Sequence, residues 1–422
     1  MAELKVPAVS VAVVRGGTVA AARAWGSRDV AGTEPATTET LFMAGSVSKP
    51  VTATAALRLV AAGVLDLDED VNARLKRWQV PPIGDWQPTV TLRHLLSHTA
   101  GLTVHGFPGY QRNAEVPDVV GVLEGKGNTP AVVVDTLPGM RWRYSGGGTT
   151  VVQLLIEDAT GQSFAEVLDG HLLRPADMGR ATFAQPPQQE LHPLLAEGTA
   201  PDGAPVPGGW HVYPEQAAAG LWCTPTDLAR WIVGVQGDLL TPELRAEMLR
   251  EQAPGWGLGP SVSSAGEHPR FEHGGYDEGF LTALVAGQDD GTGVVVMVSS
   301  NAGGGLMTAV RDAVVDAEQW VPLPEPPAKD NASMLARYAG SWVMPDGREL
   351  TVAALPAGLA LHLPGQQPLN LSPQSLSLWS TPVGLEVEFA PIGPDEPISS
   401  LTIRPARSFT ARRQSTSAEE TT

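Results

Sequence analysis

The run "VPLPEPPAKD" at 321–330 is the feature that most limits what this chain can fold into. Pro322, Pro324, Pro326 and Pro327 fix φ and remove backbone donors, so neither a helix nor a central strand can cross it. It reads as a linker, and the apolar pattern changes on passing it. Beyond it lie short alternating runs, "RELTVAAL", "GLALHL", "SLSLW", "GLEVEFA" and "SSLTIRP", the pattern of a small antiparallel β-barrel over 331–410. The closing "ARRQSTSAEETT" (411–422) is polar and is expected to be a disordered tail.

Ahead of the linker, residues 1–320 are long enough for a large core of their own. "AVSVAVVRGGTVAAARA" (8–24) puts β-rich runs on either side of Gly16-Gly17, which predicts an opening hairpin. An Ala/Leu/Val helix pattern runs from Ser46 to about Ala62 and closes at Gly63, with Pro50 tolerated in its first turn. Further helices are expected in "TVTLRHLLSHTAGL" (89–102), "TTVVQLLIEDATG" (149–161) and "TPTDLARWIVGVQ" (224–236), with Thr224 and Thr241 as N-caps. The Pro/Gly-rich stretch 184–210 is too broken for regular structure and is expected to wall or cover a site. Strand signals return in "HPRFEHGG" and in "GFLTALVAGQDDGTGVVVMVSS" (279–300), before a helix from about 305 to 320. Strands at both ends with helices between them predict an α+β domain whose antiparallel sheet is assembled from the two termini.

Charge removes several functions. With 28 lysines and arginines against 46 aspartates and glutamates the net charge is −18, so nucleic acid and anionic membranes are repelled. Cys223 is the sole cysteine, which excludes an intramolecular disulfide and a cysteine-based zinc cluster. The start "MAELKVPAVSVAVVRGG" lacks the basic and apolar regions of a signal peptide, and no run approaches 18 apolar residues, so a soluble cytoplasmic protein is expected.

Three short stretches carry chemistry. In Ser46-Val47-Ser48-Lys49 a serine stands at the mouth of a helix, where free backbone N–H groups and the helix dipole favour negative charge, and a lysine follows one turn later. For Lys49 to take the serine proton it must be neutral part of the time, which requires burial or neighbouring cations. Tyr144-Ser145-Gly146 places a phenol and a hydroxyl in a glycine turn before a helix, and His273-Gly274-Gly275 sits where two glycines allow a close approach. Each also has a plain structural explanation: an N-cap serine, a buried tyrosine, a β-bulge.

Taken together and in this order, the three resemble the motifs of the class C β-lactamase and penicillin-binding serine hydrolase superfamily, over residues 1 to about 320. The flanks "TLRHLLSHTAGL", "LPGMRWRYSGGGTTVVQLLIEDATG" and "AAAGLWCTPTDLARW" are similar to members of it. The resemblance implies that Ser46 is acylated, that Lys49 is its base partner and that Tyr144 shuttles protons. It also implies an oxyanion hole from the N–H groups of Ser46 and Tyr276, with Ser145, Gly146, His273, Gly274 and Gly275 lining the substrate site.

Two departures bear on substrate. Gly146 stands where many members carry an asparagine that contacts an acylamino group, and His273 stands where β-lactamases and D,D-peptidases carry a lysine for the substrate carboxylate. Both point away from β-lactams and toward esters or neutral amides. The resemblance also implies a helix before the first strand, of which "MAELK" is similar to the last turn alone. The region 331–410 is similar in pattern to the lipocalin-like domain that follows the catalytic domain in some relatives.

His94 and His98 lie four apart on an expected helix and could share a metal, but the glutamate of H-E-x-x-H is absent and helix packing explains them. Gly161-Gln162-Ser163-Phe164-Ala165 lacks the last glycine of a nucleophile elbow, and the glycine runs lack nucleotide context, so no metal or cofactor is expected. Trp142, Trp210, Trp222 and Trp256 are candidates for an acyl pocket or for plain core. The expected activity is hydrolysis of a small-molecule ester or amide through an acyl-enzyme on Ser46. An acyltransferase using an amine or alcohol acceptor is the alternative, and a non-catalytic sensor is a third reading; acyl donor, acceptor and oligomeric state stay open.

Overall fold

The computed structural model describes residues 5–263, 268–318, 320, 331–344, 347–355, 358–364, 368–373, 378–380, 386–390, 398–404 and 409–413. The chain divides into two compact units, Met1–Val321 and Pro322–Thr422. The linker 321–330, the start of "MAELK" and residues 414–422 of the tail lie outside the described residues.

The first unit opens with β1 (Ala8–Arg15) and β2 (Thr18–Gly26), joined through Gly16 and Gly17. Both glycines are left-handed, at φ 57° and 70°, the geometry that a two-residue turn between right-twisted strands requires. Next in the chain come α1 (Ser48–Ala61), α2 (Leu92–Leu96), α3 (Gly146–Thr160), α4 (Pro225–Gln236) and α5 (Pro242–Leu249). Strands β3 (Ser261–Ser263), β4 (Arg270–Asp277), β5 (Phe280–Gly287) and β6 (Gly293–Val298) follow, and α6 (Gly304–Ala317) ends the unit. The strands form one antiparallel sheet in the order β2-β1-β6-β5-β4-β3. Its centre pairs the first strand with the last, Val9 opposite Val298 and Val13 opposite Val294. Every residue of β1 except Arg15, and all of β6, is buried, which explains their continuous apolar runs. Helices α4 and α6 pack on the sheet.

Several elements differ from expectation. The helix expected over 89–102 is only Leu92–Leu96, because His98 (φ 56°) and Gly101 (φ 66°) are left-handed and turn the chain away. Ser46 is not in the long helix but in a single 3₁₀ turn, Gly45–Val47, which leads into it. The Pro/Gly-rich stretch 184–210 contains one regular element, a 3₁₀ helix at Gln189–Leu194. Thr224 and Thr241 do cap their helices, accepting from the N–H groups of Asp227 and Leu244.

The second unit begins with α7 (Asn331–Tyr338), a helix where the sequence suggested the start of a barrel. "NASMLARY" shows its apolar stripe only over two turns, too short to stand out beside the prolines before it. Eight antiparallel strands follow: β7 (Gly340–Val343), β8 (Glu349–Leu355), β9 (Gly358–His362), β10 (Leu369–Pro373), β11 (Leu378–Ser380), β12 (Glu386–Ala390), β13 (Ser400–Arg404) and β14 (Phe409–Arg413). Each pairs with the next, and β14 returns to β7 through Trp342 opposite Arg413, closing the ring. Residues 411–413 therefore belong to the last strand rather than to the tail. Trp342, Tyr338, Trp379 and Phe389 fill the interior with Leu350, Leu361 and Ile403. Among the described residues no helix is long and apolar enough to cross a membrane.

Candidate active site

Ser46 is held by contacts on both sides of its turn. The Ala44 N–H donates to the Leu221 carbonyl at 2.9 Å, and the Leu221 N–H donates to Ser48 Oγ at 3.1 Å. Gly45 is left-handed at φ 54° and presses on β4, where an added Cβ would come within 2.5 Å of the Tyr276 nitrogen. The Tyr276 amide therefore lies against the residue preceding Ser46. Lys49, in the first turn of α1, is 4% exposed. Its Nζ donates to Ser46 Oγ at 2.9 Å and to the Ala218 carbonyl at 2.8 Å. Burial pulls the Lys49 ammonium down to about 7, against a smaller upward pull from Asp277. A buried lysine near neutrality can exchange a proton with the hydroxyl it touches.

Tyr144 enters from the turn before α3. Ser145 caps that helix, accepting from the Gly148 N–H at 2.9 Å and donating to the Thr103 carbonyl at 2.8 Å. Gly146 has no room for a side chain: an added Cβ would lie 2.9 Å from both the His105 carbonyl oxygen and the Phe107 ring. The His105 carbonyl and the Phe107 ring thus take the space an asparagine would need. The Tyr144 hydroxyl faces Ser46, and Lys49 Nζ lies 5.0 Å from the ring centroid. Burial pushes the phenol well above its usual value, and the nearby Ser46 hydroxyl offsets part of that. The rings of His98, His105 and Trp256 surround it at 4.3, 4.9 and 5.7 Å.

Strand β4 supplies the third wall. Its period of two turns Phe271, His273 and Asp277 inward as buried residues. His273 is held neutral, burial and the Lys49 charge bringing it down to about 3. A neutral imidazole 2.6 Å from the Gly274 carbonyl donates through Nδ1–H, which leaves Nε2 as a lone-pair acceptor. Gly275 is indispensable for packing, because an added Cβ would fall 2.0 Å from the Ala44 carbonyl oxygen, whereas at Gly274 the nearest atom is 3.9 Å away. Tyr276 is 57% exposed.

Three groups here stand outside the three sequence motifs. Asp277 is buried with its carboxyl facing Lys49 and the Gly45 amide, and burial drives its pKa well up. Glu215, fully buried, is pushed by the same cause to about 7. The alternation of β4 puts Asp277 on the His273 face, and Ala218 lies in the flank "AAAGLWCTPTDLARW"; Glu215, two residues before that flank, carries no signal of its own. His98 does not share a helix face with His94. His94 caps α2 reciprocally with Thr91, and His98 packs on Tyr144. Trp142 and Trp256 stand together beside Tyr144, with ring centroids 5.3 Å apart. Trp210 and Trp222 instead pack on each other, Trp222 continuing into the core against Phe280. Cys223 is buried, and burial raises its thiol far above the reactive range.

An α+β domain that gathers a serine, a buried lysine and a tyrosine at the mouth of one helix is of the serine hydrolase class. Residues 1–319 match the family model described as Beta-lactamase, and the chain belongs to that family. It is similar to Esterase EstB of Burkholderia gladioli, 29% identical over 363 residues, 72% of this chain and 89% of that protein. It is also similar to Penicillin-binding protein 4* of Bacillus subtilis (strain 168), 24% identical over 426 residues, 90% and 89% of the two chains. Among solved structures, the octameric penicillin-binding protein homologue from Pyrococcus abyssi matches with a TM-score of 0.66 at 22% identity, covering 98% of this chain and 97% of that one. This last likeness is one of fold.

Proposed function

We propose that the chain hydrolyses a small-molecule ester or neutral amide through a covalent acyl-enzyme on Ser46. The observation that carries the reading is the 2.9 Å contact between Ser46 Oγ and a buried Lys49 brought down to about 7. Neutral Lys49 takes the hydroxyl proton as Oγ attacks the acyl carbon. The bond to the leaving alcohol or amine then breaks while Tyr144 passes a proton to the departing atom and regains one from Lys49. Water attacks the Ser46 ester, its proton passes to the same pair, and Ser46 recovers its own as the acid leaves. The N–H groups of Ser46 and Tyr276 face the developing oxyanion; such a donor is worth about 3 to 4 kcal/mol of barrier.

The substrate reading rests on polarity. A neutral His273 offers an acceptor, not a cation, and Gly146 offers no side chain, so carboxylate-bearing β-lactams and peptides fit poorly. The esterase relative agrees with an ester. Acyl transfer to an amine or alcohol is a second reading, supported by the aromatic cluster of Trp142, Trp256, His98 and His105 around Tyr144, a surface suited to holding water back from an acyl group on Ser46. The C-terminal barrel we read as lipocalin-like, and we expect the protein to act in the cytoplasm. The test is product partition from a p-nitrophenyl ester with and without added amines and alcohols. Free acid as sole product supports hydrolysis, an acyl amide or new ester supports transfer, and no turnover of any ester or amide contradicts both.

A further inference from the structure

We infer that His98 is a positioning residue that sets Tyr144 against Ser46 and Lys49. The inference rests on the reading of Ser46 as nucleophile and adds to it the group that holds the proton shuttle in place.

One residue brackets Tyr144 on both sides. The Arg143 N–H donates to the His98 carbonyl at 2.8 Å, and the Ser145 N–H donates to His98 Nδ1 at 3.2 Å. The amides immediately before and after Tyr144 are therefore both tied to His98. The imidazole also lies on the phenol, ring centroids 4.3 Å apart and planes 36° apart, while Trp256 presents an edge to it at 5.2 Å. His98 reaches this place by a left-handed backbone, φ 56°, a conformation that disfavours most side chains and that Asn and His adopt more readily than others.

The bond fixes the tautomer. Nδ1 accepts, so it carries no proton, and the neutral ring holds its hydrogen on Nε2, which is buried without a hydrogen-bond partner among the described residues. A protonated imidazole would set one N–H against another at Ser145. Burial, together with Lys49, His273 and His105 nearby, keeps the ring neutral. His98 touches no reacting atom in this arrangement; its effect is on where the Tyr144 hydroxyl stands, and displacement of a catalytic group by about 1 Å can cost on the order of 100-fold in rate.

The role separates two kinds of ester. Protonation of the leaving group matters for an alkyl ester and hardly at all for a p-nitrophenyl ester, so a misplaced Tyr144 should spare the second. His98→Leu removes the acceptor, whereas His98→Asn keeps one close to the Nδ1 position and tolerates the backbone. With folding checked by thermal melting, His98→Leu is expected to lose about 30-fold more kcat/KM on ethyl butyrate than on p-nitrophenyl butyrate. Tyr144→Phe should shift the ratio the same way, and His98→Asn should restore it to within about fivefold of the parent. Equal loss on both esters, or His98→Asn behaving as His98→Leu, overturns the inference. The histidine ¹⁵N spectrum of the unaltered protein decides even if a variant does not fold or neither ester is turned over. For the resonances assigned to His98, an Nε2–H ring with a hydrogen-bonded Nδ1 supports the bracket, and an Nδ1–H ring at His98 refutes it. Absence of turnover by the parent protein would count against the proposed function instead.

Discussion

Gly275 and Ala44 are in contact so close that a methyl group on the glycine would lie 2.0 Å from the alanine carbonyl oxygen. The strand bearing His273 and the turn bearing Ser46 thus meet backbone to backbone. Gly275→Ala must push the turn off the strand, and a fall in kcat of at least about 100-fold is expected with destabilisation of about 1 to 3 kcal/mol. Gly274→Ala, with its nearest atom at 3.9 Å, should change stability by less than about 1 kcal/mol. Paired kinetics and melting curves on the two variants check the contrast, and equal effects would contradict the packing.

Lys49 sets the acid side of the rate profile. Its ammonium is brought down to about 7 by burial, so below that pH it is protonated and cannot take the serine proton. A kcat/KM that rises about tenfold per unit up to pH ~7 and then levels is expected. Asp277 pulls the Lys49 value upward, so Asp277→Asn should move the rising limb to lower pH. A profile flat from pH 5 to 8, or a shift upward in the variant, would be inconsistent with this.

Glu215 makes a prediction about stability alone. Its folded value of about 7 lies above the ordinary 4.5, so the folded state binds the extra proton between those limits. Stability contributed by this group is full below pH ~4.5 and is lost as pH rises through 7. Glu215→Gln lacks that loss, so the variant should gain on the parent by up to about 3 kcal/mol between pH 4.5 and 8 in urea denaturation. A difference that does not vary with pH would show that Glu215 ionises freely.

His273 and Gly146 predict discrimination against anionic substrates. Nitrocefin, with its carboxylate, should be turned over at least about 100-fold less efficiently than p-nitrophenyl butyrate. Parallel kcat/KM measurements settle it, and comparable efficiencies would remove the basis for the ester preference.

Where local chemistry dictates structure, the sequence was readable. Gly16-Gly17 fixed a hairpin, Gly161 closed α3 in a left-handed cap, and Thr224 and Thr241 began their helices. Ser46, Lys49 and Tyr144 were legible as motifs, and the structure brings them within contact. What escaped reading depends on distant chain. The Ala218 carbonyl that shares Lys49 with Ser46 lies 169 residues from that lysine in sequence, and nothing in the flank around it points to the contact; Glu215 precedes that flank. α2 is shorter than its apolar pattern because the left-handed turn at His98 answers to Tyr144, not to helix propensity.

Rapid-quench mass spectrometry during turnover of p-nitrophenyl butyrate tests the central claim most directly. The account predicts a butyryl adduct on the peptide containing Ser46, formed in the first turnover and absent from Ser46→Ala, which should not turn the ester over. Turnover retained by Ser46→Ala, or an adduct on any other residue in a fully active protein, would contradict it.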